Sequence, residues 1–411
     1  MKVLRLDHYG RGIVNVNNKV CFVENALKDE EVEINIKKEN KKFLLGEART
    51  ISNISVERVK PKCKYYGLCG GCNLEHMSLL LQEKFKCEKI ENILERTLKR
   101  KVMIEHLVKL NDYNYRNKVV LHVEKEKLGF FEKKTNSLID IDECLLLDFR
   151  INAIIKKLRD YIKNEHDIKT ITIKLGNKTN EVMLIIEGSV NDYESLLKLC
   201  DVLFINDKCF SKKDYITSFI GSKKYLVRKN SFFQINYLIS TAMYDEIKKH
   251  VVDSKSSNVL DLYCGSGTIG IYISDVVDNV IGVEVVNDAI KSAKENKEIN
   301  NCQNIEFILG KVEDKIDSIS NNNIDTIIVD PPRSGLHKKV INSLEKINPE
   351  TIIYVSCDPM TMARDIDLLS NNYELKSVSI YDMFPNTYHV ECVSVLHRKN
   401  LKNKWFKKIK N

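Results

Sequence analysis

The strongest constraint on the fold is an alternation of apolar strands and helices that begins near residue 256. The predicted strands are 258–263, 280–284, 324–330 and 351–357. Alternating strands and helices predict a mostly parallel sheet covered by helices on both faces. Ligands bind such sheets beyond the carboxyl ends of the strands. The polar groups at those ends are Asp261, Glu284, Asp330 and Cys357.

A glycine motif, G-x-G-x-x-G over 265–270, lies between the first predicted strand and a helix. A nicotinamide-dependent dehydrogenase is one interpretation of this fingerprint. Against it, Asp261 lies within the strand before the motif, and hydride transfer has no use for the later Asp-Pro-Pro-Arg and Ser-Cys-Asp-Pro sequences. An S-adenosylmethionine site suits the set better, because Glu284 can accept both ribose hydroxyls and a cationic sulfonium tolerates nearby acids. The glycines, including Gly265, let the backbone approach the ligand.

Cys357 and Glu391 are the candidate reacting groups. Cys357 precedes a helix, and a helix N-terminus lowers the pKa of a thiol. Glu391 is an acid in an otherwise apolar strand, where its burial is costly unless the carboxylate is used. A thiolate that adds to C6 of uracil makes C5 nucleophilic toward a methyl sulfonium, and a carboxylate can then remove the C5 proton. Taken singly, an inert buried thiol and a surface acid on an edge strand are the alternatives.

Five segments in this order resemble the RNA uracil-5-methyltransferase family, especially its 23S ribosomal RNA branch. They are FFQIN at 232–236, DLYCGSGT at 261–268, DPPR at 330–333, SCDP at 356–359 and HVE at 389–391. The resemblance covers nearly the whole chain. It implies a Rossmann-like class I methyltransferase domain over 226–411, with Cys357 as nucleophile and Glu391 as proton acceptor.

The resemblance also implies a set of contacts to S-adenosylmethionine. These are Gln234, Tyr263, Glu284 and Asp330. To them we add Gly265 of the glycine loop and Thr268, which stands where one family member has an Asn contact and whose hydroxyl can reach the ligand.

Three of the twelve cysteines are clustered as C-x5-C-x2-C, at Cys63, Cys69 and Cys72. In a reducing compartment such a cluster indicates metal binding rather than disulfides. Four thiolates are needed for a zinc or a cubane iron–sulfur site. The spacing leaves the fourth ligand open between Cys87, Cys144 and others. The family resemblance implies Cys144 and a 4Fe–4S cluster.

The N-terminal region, 1–59, is rich in short strands and predicts a small OB-like β-barrel. It resembles a TRAM domain, which implies RNA binding, with Arg11 and Lys19 as candidate phosphate contacts. The formal net charge of +8 suits such a polyanionic partner. Residues 60–225 mix strands and helices and predict a central α+β domain that carries the cysteine cluster.

The expected substrate is 23S rRNA, because the bacterial transfer-RNA enzymes of the family lack both the TRAM domain and the cluster. The same chemistry on a tRNA uridine and a non-catalytic, metal-stabilised RNA-binding protein are the alternatives. An adenine-N6 methyltransferase is disfavoured, because Arg333 takes the position of its usual aromatic residue. Without a long apolar run or a signal peptide we expect a cytoplasmic protein without a membrane segment. We expect no obligatory protein partner.

Overall fold

The N-terminal region forms a strongly bent sheet, seen in a computed structural model that describes residues 1–133, 135–164, 167–319 and 323–399. Its strands are β1 (Arg5–Leu6), β2 (Gly12–Val16), β3 (Lys19–Glu24), β4 (Glu31–Glu39) and β5 (Phe43–Ser52). They pair in the order β1-β2-β3-β5-β4. Asn17 and Asn18 both have positive φ angles, which suits the tight turn that joins β2 to β3. The apolar side chains on the inner face form a core of their own.

Helix α1 spans Leu79–Leu98. It begins at Ser78, whose hydroxyl accepts the backbone N–H of Leu81 at 3.0 Å, and it ends at Lys99 in the left-handed conformation. Its buried face carries one fully buried ion pair, in which Lys86 Nζ lies 2.6 Å from Asp382 Oδ1. Removing one partner would leave an uncompensated buried charge, so this pair fixes α1 against the C-terminal region.

A central region of mixed structure follows α1. Its elements are β6 (Leu107–Val108), β7 (Lys118–Glu124), β8 (Lys127–Phe131), β9 (Leu138–Asp140), α2 (Phe149–Ile162), β10 (Ile168–Leu175), β11 (Val182–Gly188), α3 (Tyr193–Leu197), β12 (Val202–Ile205) and β13 (Lys208–Cys209). All its strands except β6 form one sheet in the order β13-β12-β11-β10-β7-β8-β9. The apolar face of α2 packs on this sheet and closes its core. The antiparallel ribbon β14 (Tyr215–Ile220) and β15 (Lys223–Arg228) leads to the C-terminal region.

The C-terminal region has the alternating architecture that the sequence predicts. Its elements are α4 (Tyr237–Asp253), β16 (Asn258–Leu262), α5 (Thr268–Ile273), β17 (Asn279–Glu284), α6 (Asn287–Ile299), β18 (Ile305–Leu309), α7 (Val312–Ile319), β19 (Thr326–Val329), α8 (Lys338–Ile347), β20 (Thr351–Ser356), α9 (Pro359–Leu369), β21 (Tyr373–Tyr381) and β22 (Glu391–Arg398). The strand order is β18-β17-β16-β19-β20-β22-β21-β6. The strands from β18 to β20 are parallel, whereas β22 runs antiparallel to both of its neighbours. A separate hydrophobic core covers each face.

Two elements of the predicted central domain belong with the C-terminal region, one in its sheet and one against its helices. Strand β6 pairs in parallel with β21, and α1 packs on α9. A two-residue strand carries no periodic signal, so the sequence could not reveal its partner. Within the described residues, no helix is long and apolar enough to cross a membrane.

Candidate active site

The register of two neighbouring strands brings Cys357 and Glu391 together. Strands β20 and β22 are antiparallel, and Ser356 is the Cα partner of Cys392. Cys357 directly follows Ser356, and Glu391 directly precedes Cys392, so the next pair in the same register is 357 with 391. Residues opposite each other in an antiparallel pair project their side chains to the same face of the sheet. The thiol and the carboxyl group therefore lie on the same side of the sheet, at the carboxyl edge of the parallel strands, close enough for Glu391 to affect the pKa of Cys357.

Glu391 is strongly perturbed by its surroundings. Its side chain is only 8% exposed although β22 begins there. Burial raises the pKa of Glu391 well above its ordinary value, Asp330 raises it further, and Arg333 opposes both. A buried acid whose pKa is raised in this way holds a proton more tightly than an exposed one, which suits a proton acceptor.

The pKa of the Cys357 thiol is raised to about 11, mainly by burial and then by Glu391 and Asp330. The expectation that a helix N-terminus would lower this pKa is wrong. The first turn of α9 is already capped, because Asp358 Oδ1 accepts the backbone N–H groups of Met360 at 2.9 Å and Thr361 at 3.2 Å. Burial and the two neighbouring carboxyl groups therefore outweigh Arg333, which favours the thiolate.

Arg333 is a site residue to which the sequence analysis gave no role. It lies beside Cys357 and shifts the pKa values of both Cys357 and Glu391 toward the charged forms. Its backbone carbonyl accepts the Thr361 hydroxyl at 3.2 Å, which ties the Asp-Pro-Pro-Arg loop to α9. The sequence could have indicated this role, because Arg333 is a basic residue in a loop that directly follows a buried strand.

The glycine loop between β16 and α5 leaves open space beside its backbone. Tyr263, Gly265 and Gly267 all have positive φ angles. A Cβ atom at Gly265 would meet nothing within 4 Å, whereas one at Gly267 would lie 2.5 Å from the ring of Phe307. The loop is therefore closely packed on one side and open toward the edge of the sheet at Gly265, as a ligand-binding loop requires.

Glu284 at the end of β17 holds this loop. Its Oε2 accepts the backbone N–H of Gly265 at 3.1 Å, and its Oε1 accepts that of Val286 at 2.8 Å. Each carboxylate oxygen keeps a further lone pair for a ribose hydroxyl.

Two further carboxyl groups are buried at the same edge. The pKa of Asp261 is raised to about 7, chiefly by burial, with contributions from Asp330 and Glu284 that the backbone N–H of Gly270 opposes. Asp261 Oδ1 is buried and has no hydrogen-bond partner among the described residues. Burial raises the pKa of Asp330 to about 6. Neither Asp261 nor Asp330 forms an ion pair with a described residue. A bound cation would stabilise their charged forms, which fits the sulfonium of S-adenosylmethionine.

The other expected cofactor contacts lie around the glycine loop or on the segment before α4. Thr268 begins α5, and its hydroxyl lies 2.9 Å from the hydroxyl of the buried Tyr244, a partner that the sequence did not reveal. Gln234 is buried, and its backbone carbonyl accepts the Asn117 side chain at 3.0 Å. Two residues earlier, Phe232 is 74% exposed.

Cys63, Cys69, Cys72 and Cys144 line a single pocket, together with Arg116 and several aromatic side chains. Cys87 instead lies on α1 against the core of the C-terminal region. The pKa of each of the four thiols is raised, first by burial, and for Cys63, Cys72 and Cys144 neighbouring cysteines add to the rise. These thiols are therefore near one another and need a positive centre to ionise.

The glycines of this loop leave room around the sulfur atoms. A Cβ atom at Gly67 would meet nothing within 4 Å, and one at Gly71 would approach only Cys69 Sγ, at 3.5 Å. No group of three or more His, Cys, Asp or Glu side chains in the described part of the chain is arranged to hold a single metal ion.

The candidate phosphate contacts of the N-terminal barrel are both occupied by acids. Arg11 lies 2.6 Å from Asp7, and Lys19 lies 2.6 Å from Glu39. Arg11 also stacks between the rings of Tyr9 and Phe22.

Comparison with known proteins identifies the family. The sequence model of the tRNA (Uracil-5-)-methyltransferase family matches residues 205–399, and that of the TRAM domain matches 1–48. An uncharacterized RNA methyltransferase of Clostridium tetani is 35% identical over 94% of this chain and 93% of its own. The chain belongs to the RNA uracil-5-methyltransferase family. A relative from Staphylococcus epidermidis, also named an uncharacterized RNA methyltransferase, is 32% identical over 97% of both chains.

A solved structure of a family member resembles nearly the entire chain. It is the tRNA (uracil-54, C5)-methyltransferase of Pyrococcus abyssi in complex with S-adenosyl-L-homocysteine. It has a TM-score of 0.79 and 28% sequence identity, and it covers 96% of this chain and 99% of its own. The predicted TRAM domain and Rossmann-like methyltransferase fold are therefore confirmed, and the chain has the fold of an S-adenosylmethionine-dependent RNA methyltransferase.

Proposed function

We propose that the protein transfers the methyl group of S-adenosylmethionine to C5 of a uridine in 23S rRNA through a covalent adduct of Cys357. The observation that carries this proposal is the pairing of a thiol with a buried carboxyl group, Cys357 with Glu391, at the sheet edge where the glycine loop lies. Few other reactions need both groups next to a methyl donor.

In the first step the Cys357 thiol loses its proton to solvent and the thiolate adds to C6 of the uracil. The electron pair of the C5–C6 double bond moves toward C5 and O4. The enolate-like C5 would then attack the methyl group that bound S-adenosylmethionine supplies, with a neutral thioether as the leaving group. Glu391 accepts the C5 proton, the C5–C6 double bond forms again, and the thiolate is expelled from C6. Atoms and charges balance without any further reactant.

The charges of the site suit this order of events. A nearby sulfonium lowers the pKa values of Cys357 and Glu391, so it favours the thiolate that must attack. Methyl transfer removes that positive charge, so nothing from the methyl donor then opposes the rise in the Glu391 pKa that burial and Asp330 cause. Glu391 therefore becomes more basic at the step in which it must take a proton.

S-adenosylmethionine supplies the electrophilic methyl group when it is bound. Glu284 binds the ribose hydroxyls, and the glycine loop at Gly265 lies against the ligand. Gln234, Tyr263, Thr268 and Asp330 complete the proposed contacts. Asp261 holds the start of α5, directly after the glycine loop, because its Oδ2 accepts the backbone N–H of Gly270 at 3.0 Å.

The four cysteines of the central region fit a 4Fe–4S cluster held by Cys63, Cys69, Cys72 and Cys144. Their thiolates need positive charge in a partly buried, largely apolar pocket, which an iron–sulfur cluster supplies. Three ligands come from one loop and the fourth from a segment about seventy residues later. The cluster would therefore tie these two segments together, in a structural role that is separate from the methyl transfer.

The proposal of 23S rRNA rests on the TRAM domain and the cysteine set. A tRNA uridine is the second candidate, and the tRNA-modifying Pyrococcus abyssi neighbour, which covers nearly the whole chain, favours it. Incubation with labelled S-adenosylmethionine and separately purified unmethylated rRNA and tRNA distinguishes the two. We expect 5-methyluridine in 23S rRNA; label in tRNA alone would select the second candidate, and label in neither RNA would overturn the proposed function.

A further inference from the structure

A cleft lies between the N-terminal barrel and α1, and it reaches the first turn of α9. We call it the barrel–α1 cleft. It is lined on one side by Leu4, Arg5 and Phe22, on the other by Phe85 and Arg96, and at one end by Met360. Its volume is about 630 Å³, within the range of sites that bind a ligand.

The charges that line the cleft favour an anion. Among the described residues, Arg5, Lys28 and Arg96 form no ion pair and no side-chain hydrogen bond. The two acids of the cleft are already paired: Asp7 contacts Arg11 at 2.6 Å, and Glu88 lies 3.9 Å from Lys84. Lys89 also lines the cleft, and its Nζ donates to the Tyr388 carbonyl oxygen at 2.8 Å. The described part of the cleft therefore presents four cations without an acid partner, and three of them form no side-chain hydrogen bond. This contrasts with Arg11 and Lys19, whose charges are neutralised within the barrel.

The floor of the cleft is apolar and in part open to solvent. Leu4 is 51% exposed and Met360 is 57% exposed, beside the ring of Phe22. Free cations beside an exposed apolar and aromatic floor are what a single nucleic-acid strand requires, because its phosphates need positive charge and its bases need flat apolar contacts. A purely anionic small ligand would not need this floor.

The end of the cleft is close to the proposed chemistry. Met360 is the second residue of α9, and Cys357 precedes the N-cap of the same helix. Helix α1 forms a wall of the cleft, packs on α9, and is fixed by the buried pair Lys86–Asp382. A strand that leaves the site of Cys357 along the first turn of α9 would therefore reach the cleft at Met360.

We propose that the barrel–α1 cleft binds the single-stranded RNA that flanks the target uridine, an inference that rests on the proposed function. Arg5, Lys28 and Arg96 contact its phosphates, and the apolar floor contacts its bases. The cleft thereby holds the strand while the target base turns toward Cys357.

The test uses the full chain and a fluorescent oligouridylate of about a dozen nucleotides, measured by anisotropy at about 50 and 200 mM salt. The variant is Arg5→Glu/Arg96→Glu. The matched control is Lys156→Glu/Lys157→Glu, which makes the same charge change at two exposed lysines of α2 outside the cleft. The neutral pair Arg5→Gln/Arg96→Gln replaces the first variant if its thermal unfolding shows a folding defect.

We expect the cleft variant to bind the oligouridylate roughly tenfold or more weakly, with a shallower salt dependence. The control should stay within about twofold of the wild type by the same reasoning about surface charge. S-adenosylmethionine affinity should be unchanged in all variants. Equal losses in cleft and control variants, or no binding of the oligouridylate by the wild type, would overturn the inference. So would a polyglutamate peptide that binds as tightly and with the same dependence on Arg5 and Arg96.

Failure of the proposed function looks different. If the oligouridylate binds through the cleft but no RNA is ever methylated, the cleft inference stands and the proposed function fails. If RNA is methylated normally by a cleft variant whose oligouridylate affinity is also unchanged, the cleft inference fails and the proposed function stands.

Discussion

Cys357 and Glu391 are neighbours across the antiparallel pair β20–β22, because each lies next to one member of the paired residues Ser356 and Cys392. The carboxyl group that is placed to accept a proton therefore also opposes ionisation of the thiol that must attack. The pKa shifts of the two residues reflect this mutual effect. A positive charge bound between the strand ends removes the conflict, which links thiol activation to the presence of the methyl donor.

Glu391→Gln should separate attack from elimination. Loss of the carboxyl group should lower the Cys357 pKa below about 11, because Glu391 is a cause of its rise. Methylation of the RNA can still occur, but removal of the C5 proton becomes slow. A covalent protein–RNA complex should then accumulate on ordinary uridine RNA in denaturing gels, and the pH dependence of Cys357 alkylation, followed by mass spectrometry, should shift to lower pH.

The matched control for this experiment is Glu374→Gln, an exposed acid on the adjacent strand β21. It should leave both the alkylation profile and the turnover as in the wild type. Normal turnover of Glu391→Gln without any adduct would show that another group is the base, and Asp330 would then be tested.

Glu284→Ala should weaken S-adenosylmethionine binding. The variant loses a carboxylate that holds the Gly265 backbone and is proposed to bind the ribose, and such charged hydrogen bonds contribute on the order of 1–3 kcal/mol. Titration calorimetry measures the change, with the exposed Glu306→Ala on β18 as control. Unchanged affinity in Glu284→Ala, together with tight binding of NAD, would return the site to the dehydrogenase interpretation.

The buried acids make the stability of the ligand-free protein depend on pH. The pKa of Asp261 is raised to about 7 in the folded state, so the unfolded chain releases this proton at lower pH. Its contribution to stability is therefore complete below about pH 4 and is lost as the pH rises through about 7. Because Asn does not titrate, Asp261→Asn should reduce the change in the free energy of unfolding over this pH range by on the order of 2–4 kcal/mol.

The measurement is urea unfolding at about pH 5 and about pH 8, without ligand. The wild type should lose more stability between the two conditions than Asp261→Asn does. An identical pH dependence in both proteins would mean that Asp261 does not titrate in this range.

Cys144→Ser should abolish the proposed cluster, whereas Cys87→Ser should retain it. Cys144 lines the pocket of the cysteine loop, and Cys87 lies on α1 in a different core. Anaerobically purified wild-type protein should contain about four irons per chain, as a cubane requires. Iron content and visible absorption measure the result. Stoichiometric zinc without iron, or loss of the metal in Cys87→Ser alone, would contradict the assignment.

Much of the site's framework could be predicted from the sequence because apolar periodicity controls it. The strands that end near Asp261, Glu284 and Asp330 are continuous apolar runs, and buried parallel strands of this kind are readily recognised. Because these strands are parallel, their carboxyl ends meet at one edge of the sheet, so the location of the site could be predicted as well. The structure adds that Glu284 accepts a backbone N–H of the glycine loop, at Gly265, and Asp261 accepts one in the following helix, at Gly270.

The antiparallel insertion of β22 could not be predicted from local pattern. The alternative interpretation of Glu391 as a surface acid depended on an edge strand, whereas β22 lies between β20 and β21. This long-range pairing buries Glu391 and sets it beside Cys357. The raised thiol pKa also depends on tertiary contacts, because residues distant in sequence supply the opposing carboxyl groups.

The most direct test of the account is covalent trapping by RNA that carries 5-fluorouridine at the target position. Cys357 can add to C6 and the methyl group can be transferred, but fluorine cannot leave as a cation, so elimination fails. We predict a protein–RNA adduct that survives denaturing gels, requires S-adenosylmethionine for its methylated form, and maps to Cys357. The adduct should persist in Cys392→Ala and be absent from Cys357→Ala, which should also form no 5-methyluridine. Wild-type turnover by Cys357→Ala, or an adduct at a different cysteine, would contradict covalent catalysis by Cys357.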